Sequence, residues 1–457
     1  MLSTRYTQLL RMVKRSNSTS SVGLLVGQVS APDYSKWSKE DLIAKINQLQ
    51  PPTTSINTST TNTNAAGDST INSCGSSQPV GKKKQKKAFD FSKHNTRFIA
   101  IKFGYLGWNY NGLAYQYEPT PLPTVEQVIL ESLAKAKLIA SPDPECCKFS
   151  RCGRTDKGVS AMNQVISLNV RSSLTDEQQQ EAQLDNEEIA YLTILNSMLP
   201  TDIRVTAVCL RPPKDFDARF SCLYRHYRYL FKKSNLDIEL MQQAADKYHG
   251  VHDFRNFCKI DGSKQITNYF REVYRAKIVR LDDEFYYLDL QGTAFLWHQV
   301  RCMMAILLLV GQKLELPTIV DDLLNVEKYP SKPNYEMAND IPLVLYNCVF
   351  PEMEWLKAQD FENNKQQKDF ALYRGILLDY QLKSKMSEIL DQFFTEGFQE
   401  PEASVNGGAV NTGNGRGRNY KTYVPISQRI MGDTFEAVNE RHRQKLLRKK
   451  MEKNEPN

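Results

Sequence analysis

The chain has 457 residues, 41% of them hydrophobic, which is enough for one large domain or two ordinary ones with a sizeable core. Its formal net charge of +7 is a modest excess for this length and identifies no partner by itself. The longest apolar run, Cys302 to Val310, is too short to cross a bilayer. The nine cysteines include no C-x-x-C pair, and the six histidines show no ligand spacing, so neither a disulfide framework nor a metal site is predicted.

Residues 1–94 are predicted to form a disordered, low-complexity, basic extension. Pro51 to Gly75 consists largely of Ser, Thr and Asn, so it cannot bury enough apolar surface to offset its ordering entropy. A short helix is predicted just before it, at Glu40 to Leu49. The first 32 residues contain four Arg or Lys and no acid, a composition typical of mitochondrial transit peptides; a disordered leader is the alternative.

Strands and helices alternate between about residue 95 and residue 351, where the folded body is predicted. The predicted elements are, in chain order, a strand at Phe98–Phe103, a Gly- and aromatic-rich loop at Gly104–Tyr117, a helix at Val125–Leu133 after a capping-box pattern of Thr124 and Gln127, a strand at Gln164–Val170, a helix at Leu192–Met198, strands at Ile203–Leu210 and Tyr227–Lys232, a helix at Glu239–Tyr248, a hairpin of Arg271–Ile278 and Phe285–Leu290, and a buried helix at His298–Val310. This alternation in two similar halves favours an α+β or α/β sheet with helices on one face.

Residues 352–457 are predicted to form a C-terminal extension with weak local order, because the pattern becomes irregular and Asn406–Arg418 is rich in Gly and Asn. The extension ends in a basic tail between Arg441 and Lys450, and another basic run, Lys82–Lys87, precedes the body. Each run is interpreted either as solvated charge or as a nuclear address or a patch that attracts phosphates.

The segment Arg151–Ala161, with the sequence RCGRTDKGVSA, is the most informative part of the sequence for predicting catalytic residues. Two glycines flank an Arg-Thr-Asp triplet just before a predicted strand, which indicates a tight loop that presents one carboxylate, that of Asp156. The adjacent cations Arg154 and Lys157 predict a lowered pKa for Asp156, so that it stays ionised as a nucleophile or electrostatic stabiliser. The residues alone leave open a solvent-exposed loop with an Arg–Asp pair of little energetic value.

This segment resembles the G-R-T-D-x-G-V-x-A signature of the TruA family of tRNA pseudouridine synthases. The resemblance implies that Asp156 is the catalytic residue and that Arg154 helps to flip the target nucleotide. Lys157, the cation beside Asp156, is predicted to bind substrate. The block RHYRY resembles the one that carries the family's active-site tyrosine, which implies Tyr227. The block FLWHQVR resembles the one whose arginine pairs with the catalytic aspartate, which implies Arg301.

The resemblance covers residues 95–351 and is closest to the family's eukaryotic branch, which acts at tRNA positions 38 and 39; FDFSKHNTRF at 89–98 and YEMAND at 335–340 support this branch. It implies an α+β fold of two ferredoxin-like α/β halves, 95–225 and 226–351. The halves are expected to share a central antiparallel sheet, with a basic cleft between them.

The implied activity is that of an isomerase that converts uridine to pseudouridine at positions 38 and 39 of the tRNA anticodon stem-loop, through an Asp nucleophile and a flipped-out base. We expect Arg154 to fill the vacated place and hold phosphates, Tyr227 to stack on the base, and Arg301 to orient Asp156 by a two-pronged hydrogen bond. The expected partner is tRNA, with no metal, cofactor or membrane.

Several alternatives stay open. The same chemistry at another tRNA position or on another RNA is one, and a catalytically silent RNA-binding homologue is another. A homodimer is expected by analogy with bacterial members, and the expected location is the nucleus and cytoplasm, with a mitochondrial pool suggested by the basic N-terminus.

The aromatic residues Trp108, Tyr110, Trp297 and His298 are interpreted either as lining the cleft or as packing in the core.

Overall fold

A ten-stranded sheet organises the computed structural model, which describes residues 89–357, 366–398 and 407–454. Its strands are β1 (Asn95–Tyr105), β2 (Ser150–Arg151), β3 (Ser160–Ser172), β4 (Ile203–Cys209), β5 (Tyr224–Lys232), β6 (Gly250–Asp253), β7 (Phe270–Arg280), β8 (Phe285–Gly292), β9 (Leu343–Val349) and β10 (Leu356–Lys357). Nine of them follow the order β10-β4-β1-β3-β9-β5-β8-β7-β6, and β2 pairs with β3. The pairings in this sheet are antiparallel except that of β3 with β9, which is parallel. The predicted α+β fold with a central, mainly antiparallel sheet is confirmed.

Seven α-helices accompany the sheet within the described residues. They are α1 (Val125–Lys135), α2 (Tyr191–Met198), α3 (Ile238–Asp246), α4 (Gln299–Gly311), α5 (Ile319–Leu324), α6 (Gln366–Thr395) and α7 (Phe435–Asn454). The strands and helices predicted between residues 95 and 351 are all present, with ends shifted by a few residues. Strands β6 and β9 and helix α5 were not predicted; they are short or lie between polar segments.

Helix α4 is buried almost all round, as its continuous apolar sequence requires. Of its 13 residues, 12 are buried, and the exception is Arg301, in the first turn. Helix α1 begins as its sequence predicts, because the Thr124 side chain accepts a hydrogen bond from the Gln127 backbone N–H at 3.2 Å. These two helices fix the positions of segments that lie close to the Arg-Thr-Asp loop.

The end of β1 and the segments that precede β3 and β9 lie at the same edge of the sheet. At the end of β1, Tyr105 pairs with Ala161 near the start of β3, and Ala161 also pairs with Leu345 of β9. Because β3 and β9 are parallel, the segments that precede them approach the same edge. Those segments contain Asp156 and Asp340, so two carboxylates far apart in the sequence come close together.

The predicted division into two ferredoxin-like halves stays a prediction. The predicted boundary between residues 225 and 226 lies inside β5. The elements of residues 95–225 and 226–351 join one continuous sheet through the β3–β9 pairing. The expectations for residues 1–88, including the helix at 40–49 and the transit-peptide composition, lie outside the described residues.

The expectation of weak local order was wrong for much of the C-terminal extension. Residues 366–395 form the 30-residue helix α6, and residues 435–454 form the 20-residue helix α7. Between them, β11 (Gly408–Val410) and β12 (Arg418–Tyr420) pair as an antiparallel hairpin. The Gly- and Asn-rich composition therefore belongs to a turn, where Gly413, Gly415 and Gly417 adopt φ values of 76°, 72° and 64°.

This hairpin packs on the body of the protein. The Asn339 backbone N–H donates to the Thr412 carbonyl at 2.7 Å, and Gly413 lies against the buried hydroxyl of Tyr229, which a Cβ at position 413 would overlap. Position 415 has open space around it and the same left-handed backbone. The two glycines thus differ in packing but share a conformation.

We expect Gly413→Ala to destabilise the protein more than the matched control Gly415→Ala. The control bears the cost of a left-handed backbone, about 1 kcal/mol, and Gly413→Ala adds an overpacking cost of roughly 1–3 kcal/mol against Tyr229. Urea unfolding of the two variants measures the difference. Equal losses would show that the hairpin does not pack tightly on Tyr229.

Candidate active site

The loop from Gly153 to Val159 is fixed on both sides of Asp156. Before it, the Thr155 hydroxyl shares a 2.6 Å hydrogen bond with the Tyr105 hydroxyl, and the Thr155 carbonyl accepts from Leu113 N–H at 3.2 Å. After it, Gly158 has a φ of 81°, and a Cβ at this position would overlap the Asp340 carboxylate. Glycine is therefore required at 158 by both conformation and space.

Asp156 is mostly buried, and two polar side chains contact its carboxylate. Trp297 Nε1 donates to Oδ1 at 3.2 Å, and His298 Nε2 lies 3.5 Å from Oδ2. The Asp156 side chain keeps 27% of its surface exposed. The carboxylate is thus held in a defined orientation while one part stays accessible to a substrate.

Burial raises the pKa of Asp156 above its usual value, and the nearby Asp340 charge acts in the same direction. The positive charge of Arg301 and the hydrogen bond from Trp297 lower the pKa and oppose this rise. The expectation of a pKa lowered by Arg154 and Lys157 was wrong. Both of those side chains are exposed, where water screens their charge, and desolvation of the carboxylate dominates.

Arg301 lies close enough to influence Asp156, but the expected two-pronged hydrogen bond is not present. Its Nε donates instead to the Ala338 carbonyl at 2.8 Å. The residues after Ala338 include Asp340, so this bond ties the first turn of α4 to the segment that carries the second carboxylate. Arg301 therefore acts on Asp156 here through its charge.

His298 sits at the start of α4 with a left-handed backbone, φ 63°. Burial lowers its pKa to about 4, and the positive charges of Arg301 and Lys259 act in the same direction. The His298 imidazole is therefore neutral at physiological pH, and it contacts the Asp156 carboxylate without adding a positive charge beside it. Of the four aromatic residues with two interpretations, Trp297 and His298 thus belong to the site.

The other two residues of that group have different surroundings. Tyr110 is buried, and its hydroxyl donates to Asp202 at 2.6 Å. Trp108 packs edge-on against Tyr380 of α6, with 5.0 Å between ring centroids. Tyr110 is thus a packing residue, and Trp108 connects the loop after β1 to the C-terminal extension.

Tyr227 lies on β5 with its ring edge-on to Phe295 at 5.1 Å. It is 9% exposed, and burial raises the pKa of its hydroxyl, so the phenol stays protonated. The negative charge of Asp156 also raises the pKa of Tyr227, which places the two side chains in one electrostatic environment. Tyr227 and Arg301 thus both lie near enough to Asp156 for their electrostatic interactions to matter, and their roles stay predictions.

Three exposed cations surround the site: Arg154 and Lys157 on the loop, and Lys259, whose Nζ lies 4.8 Å from the Trp297 ring centroid. The carboxylate therefore opens onto a basic surface.

In the described part of the chain, no cluster of three or more His, Cys, Asp or Glu is placed to bind a metal ion. No helix there is long and apolar enough to span a membrane.

Asp340 and Lys259 were not predicted as site residues, and the role of Trp297 was left open. Asp340 and Trp297 act on Asp156 directly, and Lys259 lies against Trp297. Asp340 lies in the segment YEMAND, which was quoted only as a mark of resemblance. The block FLWHQVR gave the one available signal, since it placed an aromatic residue and a histidine beside the implied Arg301.

Comparison with known proteins gives consistent results. A family described as tRNA pseudouridine synthase matches residues 244–351. The chain is 51% identical to the tRNA pseudouridine(38/39) synthase of Saccharomyces cerevisiae, over 90% of this chain and 92% of that protein. It is 44% identical to the protein of the same name from Homo sapiens, over 64% of each chain. It is 31% identical to tRNA pseudouridine synthase A of Methanosarcina mazei, over 57% of this chain and 87% of that one.

We expect Asp156→Asn to stabilise the fold at neutral pH relative to the unsubstituted protein. The raised pKa of Asp156 means that ionisation destabilises the folded state. Protonated Asp156 contributes its full stabilisation at pH values below the pKa that it has in the unfolded chain. This contribution is lost as the pH rises through the higher pKa that Asp156 has in the folded protein. Asparagine does not titrate, so its contribution stays constant. The stability gain should therefore appear as the pH rises above about 4.

Urea unfolding of both proteins across a pH series measures this gain. The variant Asp340→Asn is the comparison: it keeps the buried carboxylate but removes a charge that raises the pKa of Asp156, so it should reduce the pH dependence without abolishing it. A difference between Asp156→Asn and the unsubstituted protein that stays constant with pH would contradict the assignment of a raised pKa.

Proposed function

This chain belongs to the TruA family of tRNA pseudouridine synthases, in the eukaryotic branch of tRNA pseudouridine(38/39) synthases, and from that membership we propose that it isomerises uridine to pseudouridine in tRNA. The observation that carries the proposal is the position of Asp156, a mostly desolvated carboxylate on a fixed loop, oriented by Trp297 and His298 and partly open to a basic surface.

The reaction suits a site of this kind. Isomerisation breaks the N1–C1′ bond, forms a C5–C1′ bond, removes a proton from C5 and adds one at N1, so it is redox-neutral. A carboxylate nucleophile divides this exchange into easier steps. A desolvated carboxylate is more reactive, but it must stay ionised; the Arg301 charge and the Trp297 hydrogen bond, which lower the pKa of Asp156, support ionisation against burial.

The remaining side chains support a flipped nucleotide. A stacked uridine must leave its stack before the carboxylate reaches it. Arg154 is exposed beside Asp156, and its planar guanidinium suits both the vacated position and nearby phosphates. Lys157 adds a second exposed charge on the same loop. Stacking on Tyr227 is limited by its burial, whereas Trp297 is 42% exposed and offers a larger aromatic surface.

For the target we propose positions 38 and 39 of the anticodon stem-loop. The support is the 51% identity, over most of both chains, with a yeast protein named for those positions. A base at a stem–loop junction also has fewer pairing constraints than one within a helix, so less energy is needed to flip it. Recognition by backbone shape and phosphate contacts accommodates two neighbouring positions.

Further expectations concern assembly and location. We propose a homodimer, supported by the apolar side chains that α6 exposes, such as Leu382, Ile389 and Phe393, since large exposed apolar patches mark interaction sites. We also propose the nucleus and cytoplasm as the location, with a mitochondrial pool suggested by the basic N-terminal sequence.

The proposal is tested with purified protein and unmodified tRNA. Asp156→Asn should abolish pseudouridine formation but keep RNA binding, because the amide has nearly the same shape and cannot attack. The control Asp340→Asn should keep measurable turnover. Pseudouridine mapping of the product identifies the position. Turnover by Asp156→Asn would overturn the assigned nucleophile; modification elsewhere would overturn the target, and binding without turnover by the unsubstituted protein would indicate a silent homologue.

We expect Trp297→Phe to reduce kcat by about 10- to 100-fold with little change in KM, since a hydrogen bond to a charged group contributes roughly 1.5–3 kcal/mol. Loss of the indole N–H removes a contact that lowers the pKa of Asp156, so the acidic limb of the pH–rate profile should move to higher pH. Trp355→Phe is the matched control, because Trp355 lies near Lys102 on the outer part of the sheet. An unchanged profile would show that the Trp297 contact does not position the carboxylate.

A further inference from the structure

The C-terminal helix α7 is firmly attached to the protein at its beginning. Asn439 is 3% exposed; its side-chain amide donates to the Ile266 carbonyl at 3.0 Å, and its own carbonyl accepts from the Gln265 side chain at 3.1 Å. Phe435 packs against Tyr269, with 5.0 Å between ring centroids. The first two turns of α7 therefore share hydrophobic and polar contacts with the segment of residues 258–269.

The same segment also borders the active site. The Lys259 backbone N–H donates to the Trp297 carbonyl at 3.0 Å, and Trp297 contacts Asp156. Three residues further on, Gly262 lies so close to α7 that a Cβ there would be 2.7 Å from the Val438 carbonyl oxygen. Three residues span at most about 10 Å, so α7 is attached within that distance of the active-site rim.

Beyond this attachment, α7 extends as an exposed and strongly basic helix. Residues 441–451 include six Arg or Lys and no Asp or Glu. Arg441 and Arg443 pair with acidic residues on the helix or just before it. Lys445, Arg448, Lys449 and Lys450 are exposed and make no salt bridge with any described residue. From His442 to its end the helix is about 18 Å long.

We propose that α7 is a phosphate-binding arm that holds the backbone of the tRNA whose target uridine lies at Asp156. The inference rests on the proposed function and deepens it, because it assigns part of the substrate affinity to an element outside the sheet. Four cations that form no salt bridge with a described residue, on a helix attached at the rim, match a polyanion that must extend beyond the active site in any complex. Such contacts supply affinity and orientation and carry no sequence information.

The attachment makes the arm useful for positioning. Asn439 and Phe435 fix the direction in which α7 leaves the protein, so bound phosphates are held at a defined distance from Asp156. Exposed lysines on a flexible tail would attract RNA without orienting it. The fixed root therefore couples backbone binding to the placement of one nucleotide.

The test uses the full-length protein with Lys445, Arg448, Lys449 and Lys450 all replaced by Gln. The matched control replaces Lys135, Lys137, Lys214 and Lys313 by Gln. All four are exposed; Lys135 is the last residue of α1 and Lys313 follows the end of α4, in each case at the end opposite to the one near Asp156. Both variants lose four charges. Circular dichroism and thermal unfolding establish that both are folded.

Binding of unmodified tRNA is measured as a function of salt concentration. If two of the four cations engage phosphates, the slope of log K against log salt should fall by about 1.4–1.8, and the affinity at 0.1 M salt by more than about tenfold. Single-turnover rates at saturating tRNA should change much less than the affinity, since the arm does not touch the reacting atoms.

The control should keep most of the affinity and show a smaller change in slope. Equal affinity and slope for the arm variant and the control would overturn the proposal, as would a lost interaction with another protein while RNA binding is kept. If the unsubstituted protein binds tRNA but forms no pseudouridine, the proposed function fails; the salt slopes then still decide whether α7 binds RNA.

Discussion

The parallel pairing of β3 with β9 is the constraint on which the site depends. It is short, joining Ser160 and Ala161 to Val344 and Leu345, yet it connects strands from distant parts of the sequence. Since parallel strands begin at the same edge, the segments before them meet there. The contact between Gly158 and Asp340 follows from this pairing, and it leaves no room for a side chain at position 158.

The site balances two opposing electrostatic requirements. In the proposed reaction, burial would make the Asp156 carboxylate a better nucleophile, but burial also raises its pKa and favours the uncharged form. Arg301 contributes a charge that opposes this, while its Nε is occupied by the Ala338 carbonyl. A fully paired carboxylate would be stable and unreactive. A single hydrogen bond from Trp297 and a nearby but unbonded cation leave Asp156 oriented, ionisable and available.

Much of the fold was predictable because local patterns agree with the tertiary structure. The apolar run after His298 becomes a buried helix, and the glycine-flanked Asp156 becomes a fixed loop, as expected. Other features depend on partners far away in the sequence. Asp340 joins the site through a strand pairing that leaves no periodic pattern, and the pKa of Asp156 is governed by burial and not by the adjacent Arg154 and Lys157. The glycines near residue 413 suggested weak local order, although they form a turn that packs on Tyr229.

The burial of α4 has a consequence for how the protein loses its structure. Twelve of its 13 residues are enclosed, and Arg301 extends from its first turn. A helix so enclosed exchanges its amide hydrogens only through openings that involve most of the molecule. The cation that supports Asp156 cannot be released by local fraying. The electrostatics of the site should therefore persist up to the cooperative transition and disappear together with it, as hydrogen exchange of the α4 amides would report.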